Sequence, residues 1–415
     1  MNIYCGIDFG TTNTVVSICG KNGQLVDSFS ISTTLFIPEE NQGITKVYIG
    51  DEAVAHYEEN RPGRYIHSIK RSLSDKYFKY TVINRTRVTL EELLVLFLTE
   101  LKKMIHAQWS ITPENIVLGR PVKFSVDGER DKLAKKRLKS GFEMAGFKGI
   151  TPLEEPVAAS LCFENSLTVN DRKFLIVDLG GGTSDFTLVS YDPAGEGIGK
   201  YKINGVDGID IGGDNFDEDV MLSTLSPQLG SSATYESYGN RLPMPVHIYR
   251  DICKWNKIRW YDKKDLAQEF TDYQYKSSAP GSIKKLKQII ENKLSQKILE
   301  KIRMGKHELA GEQLVQIDFD EHELELLMEL TEDRFAEIIS EKTDQILATM
   351  GSVLDHKYQD VDKVILTGGT SKVSDIQTRV RGVFSSGKVL QDKDFYNSIS
   401  KGLALYAYYN DIKIV

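Results

Sequence analysis

The sequence predicts an α/β protein made from two copies of one unit, with a cleft between the copies. Three observations carry this. "GIDFGTTNTVV" (residues 6–16) and "FLIVDLGGGTSDFTLVS" (174–190) are both strand, glycine turn, strand. Each sets an aspartate, Asp8 or Asp178, at the end of an apolar strand, just before a bulky residue, a glycine and a polar turn. The copies stand about 170 residues apart, too far for a solenoid repeat and suited to a duplicated domain. At 415 residues the chain is long enough for two lobes or more, each with its own core.

Taken in order, residues 3–20 are two strands whose turn at Gly10 lets the backbone reverse closely. Residues 21–80 alternate short strand-like runs with turns and end in the basic segment "IHSIKRSLSD". Thr89 to Trp109 reads as a helix, with a Thr89/Glu92 capping box and an apolar face of Leu93, Leu94, Phe97, Leu101 and Met104. "NIVLGRPV" (115–122) is a buried strand, and 129–146 a basic helix. Residues 222–282 look irregular; their Trp255 and Trp260, set among Lys and Arg, suit a packed lid or a partner surface. Ile283 to His307 reads as one long helix, and Leu324 to Leu354 as mostly helical with a break near Thr331. "DKVILTGGTSKVSDIQTRV" (362–380) is strand, glycine turn, helix. A last helix stops at Tyr409, and "NDIKIV" follows, read as a frayed terminus or else as an arm that docks back on the chain or reaches a partner.

Composition narrows the class. Forty per cent apolar and 27% charged residues describe an ordinary soluble protein. The formal net charge of −7 argues against nucleic acid and anionic membranes as partners. Cys5, Cys19, Cys162 and Cys253 are scattered and fit no metal spacing; they read as reduced, mostly buried thiols of a cytoplasmic protein. The start "MNIYCGIDFG" has no signal-peptide pattern, and no apolar run is long enough to span a bilayer. The seven histidines show no metal pairing, and "GGDNFD" (212–217) lacks the spacing of an EF-hand loop.

The glycine turns carry the chemistry. Such a turn exposes backbone N–H groups, small hydroxyl residues add donors without bulk, and the resulting nest binds phosphate oxygens. Thr11, Thr12 and Thr183 can reach terminal phosphate oxygens. Asp8 and Asp178, at strand ends facing one cleft, suit a hydrated Mg²⁺, which takes carboxylate, water and phosphate oxygens. A third pair, Gly368-Gly369, opens a helix whose N-terminus favours negative charge. One such hairpin alone is most simply a turn; two with matched aspartates and a third strand–GG–helix are not.

"GIDFGTTNT", "VDLGGGTSDFTL", "IGGDNFD" and "ILTGGTSK" occur in the order seen in the nucleotide-binding domain of the heat-shock protein 70 (DnaK) chaperones, which the chain resembles over nearly its whole length. "GRPV", "EEPVAAS" and the early C-terminus resemble the YegD-like branch, whose members lack the usual substrate-binding domain. The resemblance implies the actin-like ATPase fold, with two ribonuclease H-like lobes. Lobe I would cover 1–187, with an insertion at about 38–112. Lobe II would cover 188–385, with a helical insertion at about 222–310, and 386–415 would return to lobe I. It implies ATP or ADP with Mg²⁺ as cofactors and slow, Mg-dependent ATP hydrolysis that switches a chaperone-like protein acting on a protein partner or client.

Position by position, the resemblance makes Asp8, Gly10, Thr11, Thr12 and Asn13 the first phosphate loop. Asp178, Gly180, Gly181, Gly182 and Thr183 become the second, with Asp185 adding a carboxylate behind it. Lys70 of "IKRSL" matches the catalytic lysine; without the resemblance it reads as a solvated surface lysine. Glu155 matches the glutamate that orders water around the metal, and Pro156 the switch proline. Asp8 and Asp178 would hold the metal through water. Gly212 and Gly213 would approach the ribose, and Gly368 and Gly369 the adenosine.

The adenine clamp departs from the family. Aligned on Leu309, Lys306 keeps the lysine, while Arg303 replaces a glutamate, His307 an arginine and Ala310 a serine; a one-turn shift would bring Glu300 to the glutamate. Other functions on the same architecture are an actin-like nucleotide-dependent filament or scaffold, a sugar or small-acid kinase, and a non-hydrolysing nucleotide sensor. The triple-glycine loop and "EEPVAA" favour the chaperone branch.

Overall fold

The computed structural model describes residues 3–59, 61–125, 127–164, 171–192, 194–195, 200–254, 264–292, 294–309, 311–321, 324–384, 386–391 and 397–414. Trp255, Trp260, Ala310 and His322 lie outside the described residues. The chain forms two compact units, one of Met1–Asp210, Leu347–Ser371 and Arg379–Val415, the other of Ile211–Ile346 and Lys372–Thr378.

The first unit holds two five-stranded sheets of the same design. In one, the order is Gly149–Glu154, Asn115–Arg120, Tyr4–Phe9, Asn13–Cys19, Leu25–Ser32. In the other, it runs Val389–Gln391, Lys363–Thr367, Lys173–Leu179, Ser184–Tyr191, Tyr201–Ile209. Each starts its chain course as an antiparallel meander of three strands and adds two parallel strands on the side of the first. Central strands buried on both faces need apolar runs rather than alternation, which is why "FLIV" and "KVIL" read as they do. The sequence repeat is therefore a structural repeat.

Period-two alternation sorts the first strand between two cores. Cys5, Ile7 and Phe9 join a cluster with Leu94, Phe97 and Leu101 of the helix Leu90–Trp109 and with Leu138 and Phe142 of the helix Gly128–Met144. Tyr4 joins the opposite cluster, with Ala158 of Glu155–Cys162 and Leu403, Ala404 and Ala407 of Ser398–Tyr409. Cys5 and Cys19 sit on paired strands but in different clusters, so neighbouring thiols face opposite ways and stay free. Burial pushes the Cys5 thiol up to about 12.

The expected capping box is present: the Glu92 N–H donates to Thr89 Oγ1 and the Thr89 N–H to the Glu92 carboxylate. Ile105, rather than the half-exposed Met104, completes that helix's buried stripe. The last segment is not frayed. The Ile414 N–H donates to the Ile3 carbonyl at 3.0 Å, Asn115 Nδ2 to the Lys413 carbonyl at 3.0 Å, and Tyr4 OH to Asp411 at 3.0 Å. Among the described residues no helix is long and apolar enough to cross a membrane.

The second unit corrects three expectations. The described residues of 222–282 are not irregular: they contain a π-helical turn (Met221–Leu225), a hairpin (Thr234–Ser237 with Asn240–Pro243) and the helices Val246–Ile252 and Lys264–Lys276. The long helix at 283–307 is two, Pro280–Glu291 and Ser295–Glu308, with the Leu294 N–H turning back to the Ile289 carbonyl. "LELLMELT" (324–331) is a strand, paired with Leu314–Glu321, and the helix starts only at Glu332. Its Leu, Glu and Met are good helix formers, yet they alternate buried and exposed, and burial of one face outweighs propensity.

In the first unit the helix Ser398–Tyr409 meets its neighbours backbone to backbone. A Cβ built on Gly402 would stand 1.7 Å from the Ala158 carbonyl oxygen, and one on Gly6 would stand 2.4 Å from the Ala404 nitrogen. Gly402→Ala is expected to destabilise the protein by about 3 kcal/mol, because neither backbone can yield. Gly382→Ala, where the added carbon meets open space in a helix, is expected to be neutral or stabilising. Urea denaturation of the two variants measures the contrast.

Candidate active site

The first phosphate-loop candidate is a turn that only glycine permits. A Cβ on Gly10 would lie 2.2 Å from the Asn13 carbonyl oxygen. The neighbouring strand end fixes this turn: Thr33 donates its Oγ1 proton to the Gly10 carbonyl at 3.0 Å and its N–H to the Thr12 carbonyl at 2.7 Å. Thr11, Thr12 and Asn13 are half-buried on it, and Thr12 Oγ1 is buried with no hydrogen-bond partner among the described residues. In the second turn, Gly180, Gly181 and Gly182 run to Thr183, whose carbonyl accepts the Gly180 N–H at 2.9 Å. Arg71 lies against this turn, since a Cβ on Gly182 would come within 2.5 Å of its guanidinium.

The third glycine pair braces the second turn. Gly368 has φ +80°, and a Cβ there would meet the Leu179 carbonyl oxygen at 2.3 Å and Asp178 Oδ1 at 2.8 Å. Thr370 Oγ1 donates to the Gly180 carbonyl at 2.8 Å. The pair does not open an α-helix directly: Gly369–Lys372 is a single 3₁₀ turn, and the helix begins at Ser374. A tight turn that must first clear the Asp178 strand end leaves no room for an immediate helix.

Charge converges on the two strand ends. Lys70, on the 3₁₀ turn Ile69–Ser72, donates to Glu155 Oε1 at 2.9 Å, with both side chains about 10% exposed. Glu155 starts its helix beside Gly119, where a Cβ would press on Leu403 Cδ1 at 3.1 Å and would touch the Glu155 stem at an ordinary 3.4 Å. Burial works to lower the Lys70 pKa, but the charges of Glu155, Asp8 and Asp178 outweigh it and the value is raised. Desolvation and the Glu155 charge push Asp8 up to about 7 and hold Asp178 well above the carboxylate range. Asp185, opposite Asp178 across the strand pair, is pushed to about 6 by burial, against the hydrogen bond it accepts from Thr183 Oγ1 at 2.8 Å. Four carboxylates thus act on one another around one ammonium, an excess that a divalent cation relieves. No group of three or more His, Cys, Asp or Glu among the described residues is arranged to ligate a metal directly.

The remaining predicted residues sit in the second unit. The Gly212 N–H donates to Asn215 Oδ1 at 2.9 Å, and Gly213 begins the helix Gly213–Val220, so "GGDNFD" is a helix start. Lys306 Nζ stands 2.6 Å from Asp217 Oδ1 and donates to the Gly213 carbonyl at 2.9 Å. Asp217 is fully buried, and desolvation lifts its carboxyl to about 6 despite that partner. Arg303 is bound to Glu300, and the His307 imidazole is pushed down to about 4 by burial and by the charges of Lys306, Arg303 and Lys372.

Arg137 was not legible as a positioning residue. It is buried, and its guanidinium donates to the carbonyls of Leu73 at 3.1 Å, Asp75 at 2.8 Å and Phe78 at 2.8 Å. It thereby pins the chain that leaves the Lys70 turn. The only sequence signal was its place in a basic helix, where an arginine normally reads as solvated.

The family described as Hsp70 protein matches residues 4–229 and 264–407. The chaperone protein DnaK of Mycoplasmopsis agalactiae (strain NCTC 10123 / CIP 59.7 / PG2) is 28% identical over 223 residues, 53% of this chain and 34% of that protein. The aligned stretch spans about a third of that relative's length. With that match over most of its length and its paired five-stranded sheets, the chain belongs to the Hsp70 family and has the actin-like ATPase fold.

Proposed function

We propose that this chain binds ATP with Mg²⁺ and hydrolyses it slowly, as a nucleotide-switched, chaperone-like protein of the YegD-like branch that acts on a protein partner. The observation that carries the reading is the buried Lys70–Glu155 pair set among Asp8, Asp178 and Asp185. The residues fit a magnesium nucleotide on three further counts. Thr12 presents an orphaned buried hydroxyl, the first turn closes tightly only because Gly10 has no Cβ, and the carboxylate excess calls for a cation. Mg²⁺ supplies charge neutralisation at the phosphates when bound.

The chain's own residues do the rest. The first loop, Gly10 to Asn13, and the second, Gly180 to Thr183, offer N–H and hydroxyl donors to phosphate oxygens. The Lys70 ammonium, kept protonated by its carboxylate neighbours, orients the attacking water and offsets charge on the terminal phosphate. Glu155 fixes Lys70 and accepts from water on its free oxygen, and Asp185 sets the Thr183 hydroxyl. Asp8 and Asp178 hold the ion's water shell. Gly212, Gly213, Lys306, Gly368 and Gly369 keep the nucleoside assignments that the resemblance gives them, and the lobe boundary near residue 187 belongs to the same proposal.

Turnover of ATP by the purified protein tests this. Slow hydrolysis is expected in the wild type, and Lys70→Ala and Thr183→Ala are expected to lose about 100-fold or more in kcat while still binding nucleotide by calorimetry. Binding without turnover in the wild type would replace the reading with a nucleotide-gated scaffold, and no binding would remove it.

The carboxylates set a second expectation, for protein free of nucleotide and Mg²⁺. The Asp185 pKa is raised in the fold, so its neutral form is the favoured one there. Its contribution to stability is present at low pH and lost as pH rises through about 6. Asp185→Asn keeps a neutral side chain throughout, so its stability relative to wild type is expected to rise from about pH 4 to about pH 6 and to stay level above that. Urea midpoints of the two proteins across that range report the difference, and a pH-independent difference would contradict it.

A further inference from the structure

A second surface of the first unit stands out from a chain of net charge −7. Lys76, Tyr77, Lys79, Tyr80, Arg85 and Arg87 are all exposed, within twelve residues of sequence. None of the four cations forms an ion pair with a described carboxylate. Two of them instead cover tyrosine rings: Lys76 Nζ lies 5.2 Å from the Tyr77 centroid, and Arg87 Cζ lies 4.8 Å from that of Tyr80. Tyr77 is 75% exposed, and Val82, which pairs with Arg87 across the hairpin, is 56% exposed. Exposed aromatic and aliphatic groups beside unpaired cations cost solubility without adding to the core, and are enriched where partners bind.

The surface is built rather than loose. The Arg137 guanidinium holds the carbonyls of Leu73, Asp75 and Phe78 beneath it. The hairpin Thr81–Ile83 with Thr86–Val88 closes on a two-residue turn with Asn84 and Arg85 both at positive φ, 48° and 61°. Asn84 Nδ2 donates to the Pro38 carbonyl at 2.9 Å, and its own carbonyl accepts the Gly43 N–H. At this turn opens a groove of about 790 Å³, lined by Val82, Asn84 and Arg85 on one side and by Glu39 and Glu40 on the other. Glu40 is occupied by Thr45, whereas Glu39 is exposed.

We propose that the 76–87 face and its groove are a docking surface for an extended acidic segment of a partner protein. Charge complementarity selects it: acidic side chains would meet Lys76, Lys79 and Arg87, an apolar one Val82 and the tyrosine rings, and a backbone N–H or basic group Glu39. A nucleic acid fits less well, because a long phosphate row would extend past the few cations of this patch onto a chain of net charge −7, where a short acidic segment can end. The pinned backbone limits the ordering lost on binding. This assignment does not depend on ATP hydrolysis.

Fluorescence anisotropy on the full chain tests it, with three labelled probes: a short peptide of alternating glutamate and tyrosine, the same peptide with glutamine for glutamate, and an oligothymidylate of equal length. The acidic peptide is expected to bind, more weakly as salt rises. The glutamine peptide is expected not to bind. Lys79→Glu combined with Arg87→Glu is expected to weaken the acidic peptide about tenfold, with an unchanged urea midpoint and unchanged ATP turnover. The proposal is overturned if the acidic peptide does not bind, if the charge-reversed variant binds it equally, or if oligothymidylate binds more tightly than the peptide.

Discussion

The hydrogen-bonded ion pair between Lys70 and Glu155 is the constraint on which the rest of the site depends. It takes an ammonium from a short 3₁₀ turn and a carboxylate from the first residue of a helix, and joins them where both are nearly out of water. A buried pair of this kind is a poor source of stability in itself, since desolvation offsets most of the attraction. Its effect is on position and charge. It fixes one cation at the centre of four carboxylates, and so decides which of them can ionise. Asp8, Asp178 and Asp185 are left at values where a cation or a proton must settle the balance.

The supporting structure shows how much small residues contribute to that position. Gly368 lets a turn approach the Asp178 carboxylate. Gly402 lets two helices touch through their backbones, so that the helix carrying Glu155 is seated firmly. Arg137 does the same for the lysine's side by holding the chain just beyond it.

Much of this architecture was legible in the residues, for identifiable reasons. The duplicated strand, glycine turn, strand segments declared themselves because buried strands need apolar runs and tight turns need glycine. The Thr89 capping box was readable because it is local. Lys70 was legible only through the family resemblance, since nothing in "IKRSL" marks its burial. Residues 324–331 misled because Leu, Glu and Met favour helices, while their alternation only acquires meaning from the partner strand at 314–321. Arg137, and the contact of Arg71 with Gly182, join positions far apart in the chain and left no local trace.

The seating of the last helix against the first strand has a consequence for how the chain comes into being. Tyr4–Phe9 is synthesised well before the residues that cover one of its faces, Leu403 and Ala404, which come some 400 positions later. Residues 211–346, by contrast, form most of the other unit as one continuous stretch. On a ribosome the unit built mostly from 211–346 can therefore mature while the first still lacks the helix Ser398–Tyr409, and one face of the apolar strand stays uncovered until that helix is made. Until then the uncovered face of that strand is open to contact with other chains.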